Sequence, residues 1–144
     1  MTNIALVARK LAVLEEHLRR LTSRRPVDVA ALRADTLLQD AIALSVLVVV
    51  QEAMDIALHI ASDEGWELGS TYRDAFVILS RHAVVTTELA TSLGGSVQLR
   101  NRIAHGYATL DVERLWTELP QGIAAFGAFA QAVAAFLRQQ PTGA

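Results

Sequence analysis

Thr36-Leu-Leu-Gln-Asp40-Ala-Ile-Ala-Leu-Ser45-Val-Leu-Val-Val-Val50-Gln-Glu-Ala-Met-Asp55-Ile-Ala-Leu-His-Ile60-Ala-Ser62 is the stretch on which the fold turns. Its Val46 to Val50 run has β propensity and by itself suits a strand. Ala and Leu flank the run, no turn residue breaks it, and no partner strand appears elsewhere, so residues 36–62 are read as one long helix. Apolar groups lie nearly all round it between Ala41 and Ala61. That pattern belongs to a helix covered on several sides, in a core or a subunit interface. Its most apolar part, Ala41 to Val50, is ten residues long and bracketed by Asp40, Gln51 and Glu52. A membrane span needs about twenty residues, so the stretch is expected in a soluble core with no membrane contact.

Outward from it, helical period continues. Ile4, Leu6, Val7, Leu11, Leu14, Leu18 and Leu21 form one stripe, which predicts an amphipathic helix over residues 3–22. Pro26 interrupts it, and Asp28 or Asp35 can cap the next helical segment. Gly65 to Ser70 reads as a loop, and Thr71-Tyr72-Arg73-Asp74 resembles a capping box opening a helix to about Arg81. Thr86 or Thr87 starts a short helix that Gly94-Gly95 is expected to end. Residues 96–105 form the next, which Gly106 can close in the left-handed conformation. Asp111 caps a last helix, with Pro120 expected to kink it, and the tail after Gln140 (residues 141–144) is expected to fray. The reading is an all-α antiparallel bundle in a single domain spanning 1–144.

Composition narrows the function. The 144 residues are 52% hydrophobic and 19% charged, with eight glycines and three prolines, which excludes a disordered or collagen-like chain. There is no cysteine, hence no disulfide, no Cys-ligated zinc and no thiol nucleophile. The start has no basic segment ahead of an apolar run, so no secretory signal is read and a cytoplasmic location is expected. The net charge of −2 hides an asymmetry. Residues 1–33 carry seven bases against three acids, residues 34–70 carry seven acids and no base, and residues 71–144 carry six bases against five acids. Such a chain could hold RNA only through a local cationic site, not by an overall field. The pairs Arg19-Arg20 and Arg24-Arg25 read as a solvated helix end and loop.

Three of the four histidines, His17, His59 and His82, have no second ligand at metal spacing, and no metal or cofactor is expected. Asp55 and His59 stand four apart and are expected to form a hydrogen-bonded structural pair. No Gly-rich phosphate loop and no nucleophile elbow is present. One segment stands out: Leu99-Arg100-Asn101-Arg102-Ile103-Ala104-His105-Gly106-Tyr107. On an ideal helix Asn101 and His105 align one turn apart, so the amide can orient the ring. Arg100 lies about 140° away and can bend toward it. A histidine in the last turn is placed to move a proton, and a neighbouring arginine to grip phosphate and hold developing negative charge. Together they suit metal-independent RNA cleavage, with the substrate's 2′-hydroxyl as nucleophile. One imidazole cannot easily serve both the attacking and the leaving oxygen, which suggests two copies meeting in a dimer. The same residue types also make an ordinary capping and salt-bridge cluster, and spacing alone leaves both readings open.

The segment resembles the Arg-x4-6-His signature of the HEPN superfamily (higher eukaryotes and prokaryotes nucleotide-binding), in the Arg-x4-His-x-Tyr form of HepT-like toxins. Arg100, His105 and Tyr107 stand at its positions, with Asn101 directly after the arginine. Gln51 to Ile60, Thr71 to Phe76 and Leu110 to Trp116 resemble HepT-like segments in the same order, and the likeness covers roughly residues 30–138. It implies a homodimeric HEPN-type bundle, a ribonuclease toxin with a composite active site at the dimer interface. It implies Arg100 and His105 as the catalytic pair, with Asn101 and Arg102 in support. Tyr107 would be the tyrosine that an MntA-type nucleotidyltransferase antitoxin modifies with AMP. Many relatives carry a larger or charged residue where Gly106 stands. A second class stays open: a non-catalytic HEPN module that dimerises, binds nucleotide or docks a nucleotidyltransferase. A disabled relative is expected to lose the arginine or the histidine, and both are present here.

Overall fold

The computed structural model describes residues 1–106 and 110–141. Six helices follow one another: α1 (Ile4–Ser23), α2 (Val29–Ala34), α3 (Thr36–Asp63), α4 (Tyr72–Arg81), α5 (Thr87–Gly106) and α6 (Val112–Arg138), with no strand among the described residues. Their buried side chains join in one hydrophobic cluster. The all-α reading holds, and α3 lies at the centre, packed against every other helix.

The Val46–Val50 run is helical because Val46, Val49 and Val50 are each buried against neighbours; tertiary contact outweighs the modest helix cost of β-branching. By length and composition α3 and α6 each match a membrane span, and 56% of the apolar window of α3 is packed inside the bundle. Helix α1 runs antiparallel to α3. The Thr2 hydroxyl donates to Glu64 at 2.7 Å, Lys10 faces Glu52 and Asp55, and His17 Nδ1 meets the buried Ser45 hydroxyl at 3.0 Å. Burial, then the charge of Arg20, lowers the pKa of His17 from its ordinary value.

Both candidate caps after Pro26 are used. Asp28 accepts from the Ala31 amide at 2.8 Å and opens α2; Asp35 accepts from Leu38 at 3.0 Å and opens α3. Six residues are too few for periodicity to announce α2. The capping box at α4 is complete. Bonds from the Thr71 amide and hydroxyl, then those from Ser70, hold the Asp74 carboxyl below its ordinary pKa.

Gly94-Gly95 does not end a helix: α5 runs unbroken from Thr87 to Gly106, with Thr86 capping it. A Cβ on Gly94 would stand 3.1 Å from Arg73 Cγ, and Arg73 donates to the Gly94 carbonyl at 3.3 Å. The missing side chain thus lets α4 lie close to α5. Gly106 is the last residue of α5, and the described residues with positive φ are Gly65 and Ala83. Asp111 caps α6, which continues through Pro120. Of the tail, Pro141 is exposed, and 142–144 lie outside the described residues.

Gly65 and Ala83 do the same work. After α3, the Trp66 amide reaches the Ala61 carbonyl and Gly65 reaches Ser62; after α4, Val84 reaches Leu79 and Ala83 reaches Ser80. Each is a Schellman ending built on one left-handed residue, with φ of 72° at Gly65 and 61° at Ala83. Alanine pays a steric penalty there that glycine does not. Ala83→Gly is therefore expected to raise unfolding stability by about 1 kcal/mol, read as a higher urea midpoint at unchanged slope. An unchanged or lowered midpoint would contradict the ending assigned to α4.

Candidate active site

The last two turns of α5 carry Arg100, Asn101, Arg102 and His105, and α5 packs on α3, α4 and α6. The side chains divide among those neighbours. Arg100 is half-buried and turns to α3, where Nη2 donates to Gln51 Oε1 at 3.1 Å. Its Nη1 donates to Asn101 Oδ1 at 3.1 Å, and its Nε is buried with no hydrogen-bond partner among the described residues. Gln51 is itself held: its Nε2 donates to Asp55 Oδ1 at 3.1 Å. Asp55 Oδ2 lies 3.6 Å from Lys10 Nζ, which also faces Glu52 Oε2 at 3.8 Å. Helix α1 thus supplies one cation that faces two carboxylates of α3.

Two other arginines near α5 share one carboxylate, and Arg73 donates only to the Gly94 carbonyl among the described residues. Arg102 Nη2 lies 2.9 Å from Glu118 Oε2, and Arg114 Nε lies 2.8 Å from Glu118 Oε1. Arg100, in contrast, is held by two neutral amide oxygens and has no carboxylate at ion-pair distance among the described residues. An amide fixes the direction of the guanidinium fork without neutralising it. A partly desolvated cation of this kind is suited to an anion presented to its free edge.

His105 is exposed in the last turn of α5 and lines a groove of about 440 Å³ between α5 and α6, with Arg102, Asp111 and Arg114 at its polar wall. Arg100 thus faces α3, while His105 faces this open end. Tyr107 lies outside the described residues.

The geometry revises two local expectations. Asn101 accepts a hydrogen bond from Arg100, and no bond from Asn101 to His105 forms among the described residues; the amide supports the arginine. Asp55 does not pair with His59, because Lys10 arrives from α1 and a cation is the stronger partner for a carboxylate. Gln51 and Lys10 were not legible as parts of the site from spacing, although Gln51 and Asp55 stand four apart on one helix face.

Residues 14–133 match the ribonuclease HepT-like family. The chain is similar to the mRNA nuclease HepT of Shewanella oneidensis, at 26% identity over 108 residues, 75% of this chain and 80% of that protein. It is also similar to the tRNA nuclease HepT of Aphanizomenon flos-aquae, at 27% identity over 89 residues, 62% of this chain and 60% of that protein. In fold it resembles the tri-AMPylated Shewanella oneidensis HEPN toxin in complex with MNT antitoxin. That likeness has a TM-score of 0.81 at 24% identity and covers 94% of this chain and 99% of that one. A cytosolic protein of unknown function, YutE of Bacillus subtilis, shares the fold with a TM-score of 0.85 at 15% identity, covering 99% and 96% of the two chains. The HEPN-type bundle implied by the motif is the observed one. The matched region runs from within α1 to within α6 and takes in Gln51, Arg100 and His105, and the chain belongs to the ribonuclease HepT-like family.

Proposed function

We propose that the protein is the toxin of a HEPN/nucleotidyltransferase toxin–antitoxin pair, a metal-independent endoribonuclease acting in the cytoplasm as a homodimer. The observation that carries this reading is the half-buried Arg100 guanidinium, oriented by Gln51 and Asn101 and neutralised by no carboxylate among the described residues. Arg100 takes the non-bridging oxygens of an RNA phosphodiester. His105 accepts the proton of the 2′-hydroxyl as that oxygen attacks phosphorus, and the imidazole of a second copy protonates the departing 5′-oxygen. The products are a 2′,3′-cyclic phosphate and a 5′-hydroxyl, so no water and no metal enters the bond-breaking step. Arg102, paired with Glu118, supports the site by fixing α5 against α6.

The second copy has a surface to meet. Leu37 is 81% exposed and Leu44 58% exposed, and with Ala41 and Val48 they form one stripe of α3 that leads to Gln51 and so to Arg100. A symmetric contact along it brings two Arg100 sites together. Silencing acts at Tyr107, two residues from His105, where AMP groups transferred by an MntA-type nucleotidyltransferase add negative charge and bulk beside the phosphate-binding arginine.

One experiment with two arms tests this. Protein purified alone is incubated with RNA in EDTA, and the fragments are examined by mass spectrometry. Cleavage leaving 2′,3′-cyclic phosphate ends is expected. Loss of cleavage in EDTA with recovery in magnesium overturns the mechanism, and no cleavage in either condition favours a non-catalytic HEPN module. Protein co-expressed with the nucleotidyltransferase is expected to gain AMP-sized mass on Tyr107 and to stop cutting; the increments on another residue overturn the silencing site.

A further inference from the structure

Beside the Arg100–Asn101 pair, the first turn of α4 and the flank of α5 leave a groove of about 370 Å³ lined by Thr71, Tyr72, Arg73, Val97, Gln98 and Asn101. Some of these groups are already engaged. The Thr71 hydroxyl accepts from the Asp74 amide, and Arg73 donates to the Gly94 carbonyl. Asn101 Oδ1 is taken by Arg100, which leaves the Asn101 amide protons for the groove. Tyr72 is 44% exposed although it is a large aromatic, and among the described residues neither Tyr72 nor Gln98 makes a side-chain hydrogen bond. The free groups are therefore an aromatic face, a phenol, a whole carboxamide and one amide NH₂, above an apolar floor at Val97.

That set suits one kind of ligand. A phosphate alone would leave the tyrosine face and the two carboxamides unused, while Arg73, bonded to one neutral carbonyl, keeps its charge for the backbone beside a base. An apolar segment would leave two amides unpaired. A nucleobase offers a flat π-face for the tyrosine and an edge of donors and acceptors for the two carboxamides. We propose that this groove receives the base adjoining the phosphodiester held at Arg100. The base stacks on Tyr72, and its edge faces Gln98 and Asn101. Asn101 belongs to both places: it orients Arg100 through its oxygen and faces the base through its nitrogen, which joins base recognition to phosphate binding across one side chain. Tyr72 and Gln98 are then specificity residues for the cut.

The inference rests on the ribonuclease reading, and its test separates the two by measuring binding where no cutting occurs. Short fluorescent RNAs are titrated into protein carrying His105→Ala, alone and with Tyr72→Ala or Tyr72→Phe, and affinity is read by anisotropy. Each RNA is used intact and with single abasic positions. Tyr72→Ala is expected to weaken binding of intact RNA about 5- to 150-fold, the range of one lost base stack, while Tyr72→Phe binds as the parent does. An abasic site at the adjoining position is expected to weaken the parent by a similar factor and to add nothing in Tyr72→Ala. Undiminished binding by Tyr72→Ala overturns the proposal. So does a loss that is the same for every abasic position. If Tyr72-dependent binding is found but otherwise wild-type protein never cuts RNA, the base site stands and the nuclease reading falls.

Discussion

Arg100→Ala is expected to lower the rate of RNA cleavage by about a hundred- to a thousandfold, the usual loss when a positioned donor to developing oxyanion charge is removed. The loss falls on kcat more than on KM, because charge builds on the non-bridging oxygens as the 2′-oxygen attacks. Arg100→Lys does not restore the rate. An ammonium keeps the positive charge but cannot donate to Gln51 and Asn101 in the plane of a fork, so the cation loses the two amides that aim it. Helix content by circular dichroism is expected to stay at the parental level in both variants. An Arg100→Ala protein that cuts at the parental rate would falsify the assignment of this guanidinium to the phosphate.

The contrast between Arg100 and Arg102 shows where sequence reading stopped. Both are arginines of one segment, two positions apart, and the motif places both near the chemistry. What separates them is the neighbour each meets: an amide from 49 residues upstream in one case, a carboxylate from 16 residues downstream in the other. Local spacing fixes which side of α5 a residue occupies, and so most helices, their caps and the core stripes were legible in Asp35, Thr71, Asp111 and the apolar period. It does not fix which side chain lies opposite. The same gap explains Gly94. A glycine pair in isolation is a reason to end a helix; facing Arg73 across a tight contact, it is the reason α4 and α5 can pack. Helix α2 escaped for another reason, since its six residues offer Asp28 as a cap and one buried leucine, Leu32, as a core contact.

His105 carries the second large effect, and its form tests the dimer as well as the chemistry. Alone, His105→Ala is expected to lose about a hundred- to ten-thousandfold in rate, the range for a general acid or base. The exposed ring makes no structural bond among the described residues, so stability should be little changed. The sharper measurement mixes this variant with parental protein, lets the subunits exchange, and follows activity against the parental fraction. If one imidazole must take the 2′-proton while a second gives a proton to the 5′-oxygen, a mixed dimer lacks one of the two and is nearly silent. Activity then falls as the square of the parental fraction, to about a quarter in an equal mixture. If each protomer cuts with its own Arg100 and His105, the fall is linear and about half remains. Arg100 faces α3 while His105 lines the α5–α6 groove, so the two side chains of one protomer face different surroundings, and a site completed by a second copy predicts the square law.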